Sequence, residues 1–157
     1  MIKVLFICHG NICRSPMAEF VFKDMVKKEG LSDFFHIESA ATSNEEIGNP
    51  VHYGTREKLK PLGISVAGKT ARRMTKKDYE TYAYLLAMDK NNIRNINRII
   101  DRDTEGKVHL LLEYAGSTRD IADPWYTGNF DVTYDDIVEG CSAFLNHIKQ
   151  TKNGLHK

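Results

Sequence analysis

Two residues near the start of the chain, Cys8 and Arg14, have the types and the spacing that phosphate chemistry needs. A thiolate is a strong nucleophile toward phosphorus, and a planar guanidinium binds two phosphoryl oxygens at once. Five residues separate the two, and Ser15 and Pro16 then open an apolar pattern of helical spacing, so we expect Ser15 to be a helix N-cap. A helix N-terminus and a nearby arginine both favour the thiolate. The stretch therefore predicts a nucleophilic cysteine in an anion-binding loop.

The residues inside this loop suit the same interpretation. Gly10 relaxes the backbone so that successive amide groups can turn inward, and Asn11 tolerates a left-handed conformation. The hydroxyl group of Ser15 can donate a hydrogen bond to a thiolate at Cys8. The ordinary alternative is that Cys8 ends a buried strand as a small apolar residue. That alternative does not explain why glycine, arginine and a proline-started helix follow at these spacings.

The loop resembles the phosphate-binding loop of the low-molecular-weight protein tyrosine phosphatases. The resembling segment is Cys8-His9-Gly10-Asn11-Ile12-Cys13-Arg14-Ser15, and later segments resemble others of that family in the same order, namely 39–43, 48–50, 87–89 and 123–126. The resemblance implies a phosphatase that acts on phosphotyrosine in a protein or peptide through a phosphocysteine at Cys8. It implies no metal and no cofactor.

An acid is needed as well, because an alkoxide or phenolate leaves a phosphate ester poorly without a proton. Asp123 is the candidate, since Pro124 stiffens the chain beside it and Trp125 and Tyr126 follow. A turn Asp-Pro with two surface aromatic residues is the alternative, and the resemblance favours the acid. Asp120 is the next residue that can take this role. The resemblance also places Asp89 behind the loop, where it supports the phosphate-binding residues.

The resemblance and the residue types together predict the substrate pocket. Trp125 and Tyr126 are expected to be walls against a flat phenyl ring, and Ile12 adds an apolar contact. Two residues depart from the family pattern: Glu45 stands where many relatives have an aromatic residue, and His9 replaces a more usual apolar one. Both place polar groups at the rim of the pocket.

Three other functions compete with tyrosine phosphate hydrolysis. An arsenate reductase-like thiol oxidoreductase shares this loop but needs further cysteines in a mobile segment, and none lies between Cys13 and Cys141. A phosphoarginine phosphatase of the same fold is the second, although those relatives have Thr in place of Ile12 and lack the Trp-Tyr pair. A catalytically silent phosphate-binding module is the third. Because Cys13 shares the loop with Cys8, we also expect it to be the redox partner that forms a disulfide on oxidation.

Composition narrows the class of protein. A chain of 157 residues suits a single low-molecular-weight phosphatase-like domain over 1–157 and needs no oligomer to bury a core. The 22 Lys and Arg nearly balance the 21 Asp and Glu, which argues against a nucleic-acid or membrane-surface role. The basic run 69–73 is interpreted as a solvated loop. No segment resembles a signal peptide or a membrane span, so we expect a cytoplasmic protein.

The apolar periodicity alternates between strands and helices. Strands are predicted at 2–7, 36–40, 82–88 and 108–112. Helices are predicted from Ser15 to near Gly30, over 51–62, after Thr75, over 93–100 and from Thr133 onward. This order predicts an α/β fold, a single-domain doubly wound sheet of four parallel strands with helices on both faces. Ligands bind such sheets at the carboxyl ends of the strands, where the loops with the candidate residues meet.

Overall fold

The computed structural model describes residues 1–152. Within that range four strands form one parallel sheet in the order β2-β1-β3-β4. They are β1 (Ile2–Cys8), β2 (Phe35–Ala41), β3 (Tyr84–Ala87) and β4 (Val108–Leu110). The predicted α/β doubly wound class is confirmed. The last five residues of the predicted domain over 1–157 lie outside the described part of the chain.

The first strand is covered on both faces, which is why it reads as a continuous apolar run. Val4 and Phe6 point into one core, and Leu5 and Ile7 point into a second core on the opposite face. Helices α1 (Arg14–Lys28) and α6 (Phe130–Thr151) cover the first face. Helices α3 (Lys76–Thr81) and α4 (Lys90–Ile100) cover the second. Each face of the central strand therefore anchors the loop that follows Cys8.

The remaining elements are short and lie in the connections. They are helices α2 (Tyr53–Leu59) and α5 (Pro124–Thr127) and the 3₁₀ helices Ser32–Phe34, Lys60–Leu62 and Leu111–Ala115. None of the helices in residues 1–152 combines the length and the apolar character that crossing a bilayer requires.

Several predicted boundaries are wrong, among them that of the third strand, which is predicted over 82–88 and spans Tyr84–Ala87. Two of the differences have a clear local reason. The fourth strand ends at Leu110, because Leu111 and Leu112 enter a 3₁₀ helix that buries both side chains against the first-face core. The last helix begins at Phe130, because Asn129 caps it by accepting a hydrogen bond from the Val132 N–H at 3.1 Å. The Thr133 hydroxyl, predicted near the start, instead donates to the Ala122 carbonyl.

The strand order sets the position of the site. β1 pairs with β2 on one side and with β3 on the other, so the connections after β1 and β3 leave the sheet in different directions. The carboxyl end of β1 is thus the point where a crevice opens. The loop from Cys8 to Arg14 occupies it.

Gly140 on α6 provides a test of this packing. A Cβ atom there would lie 2.6 Å from Leu111 Cγ, and Leu111 is fully buried. Gly140→Ala should therefore lower the free energy of unfolding by about 1–3 kcal/mol, the usual cost of overpacking, although Ala is the better helix former. Denaturant unfolding measures the change. Ser142→Ala, an exposed position on the same helix, is the control, and a stabilised Gly140→Ala protein would contradict the predicted close packing.

Candidate active site

The loop after β1 wraps hydrogen-bond donors around the Cys8 sulfur. The Asn11 N–H donates to Cys8 Sγ at 3.3 Å, and Ser15 Oγ lies 3.0 Å from the same sulfur. Cys8 is only 3% exposed. The sulfur thus lies buried at the centre of the loop, beside one N–H donor and one hydroxyl group.

Asn11 holds the loop in shape through its side chain. Its backbone has φ 59°, in the left-handed region that few residues other than glycine adopt. The side-chain amide donates to Ser15 Oγ at 2.8 Å and to Ser39 Oγ at 2.9 Å, and its oxygen accepts from the Arg72 N–H. These three hydrogen bonds stabilise the left-handed conformation of Asn11 and with it the inward turn of the loop.

The expected N-cap of the first helix is wrong by two residues. The helix begins at Arg14, Cys13 occupies the N-cap position without a side-chain capping bond, and Ser15 already lies in the first turn. The Ser15 hydroxyl is free to contact Cys8 because it does not cap the helix. The first turn itself therefore closes around the sulfur.

Arg14 joins the loop to two other parts of the chain. Its Nη1 donates to Asp89 Oδ2 at 2.7 Å and to the Ile121 carbonyl at 2.8 Å, and Nη2 lies 3.5 Å from Asp123 Oδ2. The residue is 2% exposed. Burial lowers the pKa of Arg14, but the negative charges of Cys8, Asp89 and Asp123 raise it by more, so the guanidinium stays charged.

Asp89 has two partners, one on each side. One carboxylate oxygen accepts from Arg14, and the other accepts from the Asn92 N–H at 2.7 Å as the N-cap of α4. The carboxylate that the resemblance places behind the loop therefore contacts Arg14 and caps α4 as well.

Asp123 is held at the start of α5. Its Oδ1 accepts from the Trp125 N–H at 3.0 Å, while Oδ2 is the atom near Arg14. The segment before it is tied down by the Ile121 N–H, which donates to the Met88 carbonyl at 2.8 Å. Asp120 is engaged elsewhere, since its carboxylate accepts from the Lys90 N–H at 3.1 Å.

A cavity of about 110 Å³ brings the predicted residues together. Trp125 and Tyr126 are 56% and 83% exposed, which is consistent with walls at the mouth of a pocket that is open to solvent. The lining residues are Cys8, His9, Gly10, Ile12, Cys13, Arg14, Glu45, Glu46, Asp123, Trp125 and Tyr126. Asn11, Ser15 and Asp89 lie behind them and contact the lining residues.

Polar side chains gather at one side of this cavity. His9 Nε2 lies 2.7 Å from Glu45 Oε2, and both side chains are exposed. Glu46, which sequence reasoning missed, also lines the cavity and accepts a hydrogen bond from Asn49 Nδ2 at 2.6 Å. The signal for Glu46 was its place beside Glu45 in the same short loop.

A second group of polar residues, also missed, supports the loop from below. Glu19 is buried, accepts from Ser39 Oγ at 2.5 Å and pairs with Lys23 at 2.6 Å. Lys69 donates to the Ser39 carbonyl at 2.8 Å, and burial lowers its pKa. The interpretation of 69–73 as a solvated loop is therefore wrong for Lys69, whose side chain is 11% exposed. Within residues 1–152, acidic, His and Cys side chains form no group of three or more that could hold a metal ion.

The sequence resembles known proteins over nearly its whole length. The sequence model of the family described as low molecular weight phosphotyrosine protein phosphatase matches residues 3–154. The low molecular weight protein-tyrosine-phosphatase YfkJ of Bacillus subtilis is 40% identical over 154 residues, which cover 97% of this chain and 99% of that protein. The human low molecular weight phosphotyrosine protein phosphatase is 41% identical over 148 residues, 91% of this chain and 93% of that protein.

Solved structures show the same relation. The crystal structure of YfkJ from Bacillus subtilis has a TM-score of 0.94 and covers 98% of each chain at 40% identity. The crystal structure of a Drosophila arginine phosphatase has a TM-score of 0.87 at 31% identity and covers 96% of this chain and 100% of that one. The fold is thus shared by proteins named for different phosphorylated residues.

The placement of two cysteines in one loop leads to a redox prediction. Peroxide should oxidise Cys8 to a sulfenic acid, which the Cys13 thiol attacks to form a disulfide and release water. Burial and the charge of Cys8 raise the pKa of Cys13 to about 12, so closure should be slow near neutral pH and faster at alkaline pH. Activity recovered with dithiothreitol measures the protection.

Two variants separate this protection from unrelated effects. Cys13→Ser should recover much less activity, because Cys8 then proceeds to sulfinic acid. Cys141→Ala changes a cysteine of α6 that is buried in the first-face core, and this variant should recover as the parent protein does. Equal recovery of the Cys13→Ser and parent proteins would rule out the disulfide.

Proposed function

The chain belongs to the low molecular weight phosphotyrosine protein phosphatase family and is a phosphotyrosine phosphatase, and we propose that Cys8 is its nucleophile, Arg14 its phosphate-binding cation and Asp123 its general acid and base. One observation carries this assignment. The buried guanidinium of Arg14 and the carboxylate of Asp123 line the same cavity as the Cys8 sulfur, with Arg14 Nη2 and Asp123 3.5 Å apart.

In the first step, the Cys8 thiolate attacks phosphorus and the bond between phosphorus and the phenol oxygen breaks. Asp123 gives its proton to that oxygen, so a neutral phenol leaves rather than a phenolate. The inward amides of the loop and Arg14 stabilise the charge on the transferring phosphoryl oxygens. Arg14 can do this without moving its anchor, because Nη1 is bound to Asp89 and Ile121 while Nη2 lies toward Asp123.

In the second step, Asp123 accepts a proton from a water molecule whose oxygen attacks phosphorus. The phosphorus–sulfur bond breaks, inorganic phosphate leaves, and the thiolate of Cys8 returns. The Asn11 N–H and the Ser15 hydroxyl stabilise that thiolate as a leaving group, since both lie within 3.3 Å of the sulfur. The two steps use the same carboxylate first as an acid and then as a base.

The cavity supports an aromatic substrate. The indole of Trp125, the phenol of Tyr126 and the side chain of Ile12 offer flat and apolar surfaces to a phenyl ring. Glu45 and Glu46 at the same cavity suit phosphoproteins with basic residues near the phosphotyrosine. Phosphoarginine is the second candidate substrate, supported by the likeness to the Drosophila arginine phosphatase.

We further propose that the catalytic unit is one domain over 1–157 that acts in the cytoplasm. All three cysteines are unpaired, and a reducing compartment keeps a catalytic thiol in that state. One chain supplies every residue assigned above, so the mechanism requires no oligomer.

Cys8→Ser tests the nucleophile and the substrate class together. The variant should lose phosphotyrosine hydrolysis while still binding phosphate, because the hydroxyl is a far weaker nucleophile and Arg14 and the loop amides remain. Calorimetry with inorganic phosphate and turnover of phosphotyrosine and phosphoarginine peptides by the parent protein provide the measurements. Turnover in Cys8→Ser within tenfold of the parent would refute the thiolate mechanism, and preferred cleavage of phosphoarginine would favour the second substrate.

Asp123→Asn tests the acid. We expect kcat on phosphotyrosine, whose phenol has a pKa of about 10, to fall by roughly 10²–10⁴, the usual contribution of a positioned acid. An aryl phosphate with an acidic nitrophenol needs less help and should be less affected. Because Asp123 also acts in the second step, the rate of the pre-steady-state burst of phenol release is the quantity to compare.

Asp120→Asn is the matched control, because Asp120 is bound to Lys90. It should leave the burst rates for both leaving groups near those of the parent. If Asp123→Asn slowed good and poor leaving groups equally, Asp123 would not be the proton donor.

A further inference from the structure

His52 lies between the two segments that build the active site. Its backbone N–H donates to the carbonyl of Ile12 in the phosphate-binding loop at 2.8 Å. Its ring meets the indole of Trp125 edge to face, with the ring centres 5.5 Å apart and the planes at 75°. One residue thus contacts the loop that holds the nucleophile and the aromatic residue that follows the acid.

The imidazole ring is itself held on two sides. The Gly54 N–H donates to His52 Nδ1 at 2.9 Å, which places the hydrogen of the neutral ring on Nε2. The ring of Phe130 stacks against it at 5.5 Å and 14°. A hydrogen bond to Nδ1 and a stacked face leave the imidazole little freedom, so the ring is held in a fixed position beside Trp125.

Phe130 provides the support behind this arrangement. It is the first residue of α6 and packs against the small cluster formed by Ala71 and by Ile12 and Cys13 of the phosphate-binding loop. Gly54 permits this position, because a Cβ there would lie 2.2 Å from Phe130 Cζ. Phe130 therefore contacts both the His52 ring and the cluster that includes the phosphate-binding loop, and it links the start of α6 to that loop.

Trp125 needs such a support. Its side chain is 56% exposed, and an indole so open to solvent can change rotamer unless a neighbour restrains it. Its backbone N–H is bound to Asp123 Oδ1, so the position of the residue is tied to the acid but the direction of the ring is not. The edge contact with His52 sets that direction.

We propose that His52 is a positioning residue that holds Trp125 as the aromatic wall of the substrate pocket. The proposal rests on the function proposed above, in which Trp125 contacts the phenyl ring of the substrate. His52 touches no reacting atom in this scheme. Its loss should raise KM for aryl phosphates about three- to tenfold, the size of one edge-to-face aromatic contact, and change kcat little.

His52→Asn is the test variant. His52 is the N-cap of α2, and asparagine is a good N-cap that can also accept from the Gly54 N–H, but it has no ring for Trp125 or Phe130. Trp125 is the only tryptophan of the chain, so its fluorescence anisotropy reports the mobility of the wall directly. We expect lower anisotropy, the higher KM for aryl phosphates, and an unchanged inhibition constant for inorganic phosphate, which needs only the loop.

Two controls accompany it. His52→Phe keeps a ring beside Trp125 and should restore much of the anisotropy and of the KM. Tyr53→Leu changes the exposed neighbour whose ring lies 6.5 Å from His52, and it should alter neither quantity. An inhibition constant for phosphate that rises in parallel with KM in His52→Asn would overturn the proposal, because the loop itself would then be damaged.

A double mutant separates this proposal from the function on which it rests. Trp125→Ala should raise KM for aryl phosphates, and His52→Asn should add nothing further in that background. If Trp125→Ala left KM unchanged, the wall assigned to Trp125 would fail, and the positioning role with it. Two results would refute the positioning role alone, provided that Trp125→Ala raised KM. In the first, His52→Asn leaves both KM and the anisotropy at parent values. In the second, His52→Asn raises KM by the same factor in the Trp125→Ala background as in the parent protein.

Discussion

The buried ion pair between Arg14 and Asp89 is the contact on which the site depends. Its 2.7 Å hydrogen bond joins the loop after β1 to the end of β3, across the point where the connections of the sheet diverge. Burying a guanidinium is costly unless it is paired and hydrogen-bonded, and Nη1 satisfies both conditions with Asp89 and the Ile121 carbonyl. Since Ile121 lies two residues before Asp123, the same cation also ties the segment that carries the acid to the phosphate-binding loop.

Charge and geometry are therefore coupled in this fold. The negative groups around Arg14 keep the guanidinium protonated, and the guanidinium in turn lets two carboxylates and a sulfur lie close together at a nearly closed end of the sheet. Asp89 is best understood through this coupling, because it stabilises α4 as an N-cap and orients the cation with its other oxygen. Removing Asp89 would leave the buried Arg14 with only the Ile121 carbonyl and the longer contact to Asp123, and the cation would lose its shortest partner.

The sequence was sufficient for the four-stranded sheet and for the lining residues other than Glu46, because Cys8, Arg14 and Asp123 lie at the ends of apolar strands or in the connections that follow them. It was insufficient where a tertiary contact decides the outcome. Ser15 is a good N-cap by type, yet the helix starts earlier and its hydroxyl turns to Cys8. Lys69 is part of a basic run, yet Ser39 and Glu19 draw it inward. Polar side chains that form hydrogen bonds or ion pairs with buried groups distant in sequence produce no periodic pattern in the sequence, so they could not be predicted from it.

Rigidity is distributed unevenly around the pocket, and the distribution follows from burial. The floor consists of side chains almost without solvent exposure, and each of Cys8, Asn11 and Arg14 has several hydrogen bonds, so a substitution there leaves a buried group unpaired. The mouth consists of exposed groups such as Glu45, whose replacement costs little folding energy. Substitutions at the mouth can therefore alter the substrate preference while the buried residues that carry out the reaction stay the same. Trp125 is exposed but contacts the His52 ring, and in the positioning role proposed above this contact gives the mouth a defined aromatic wall.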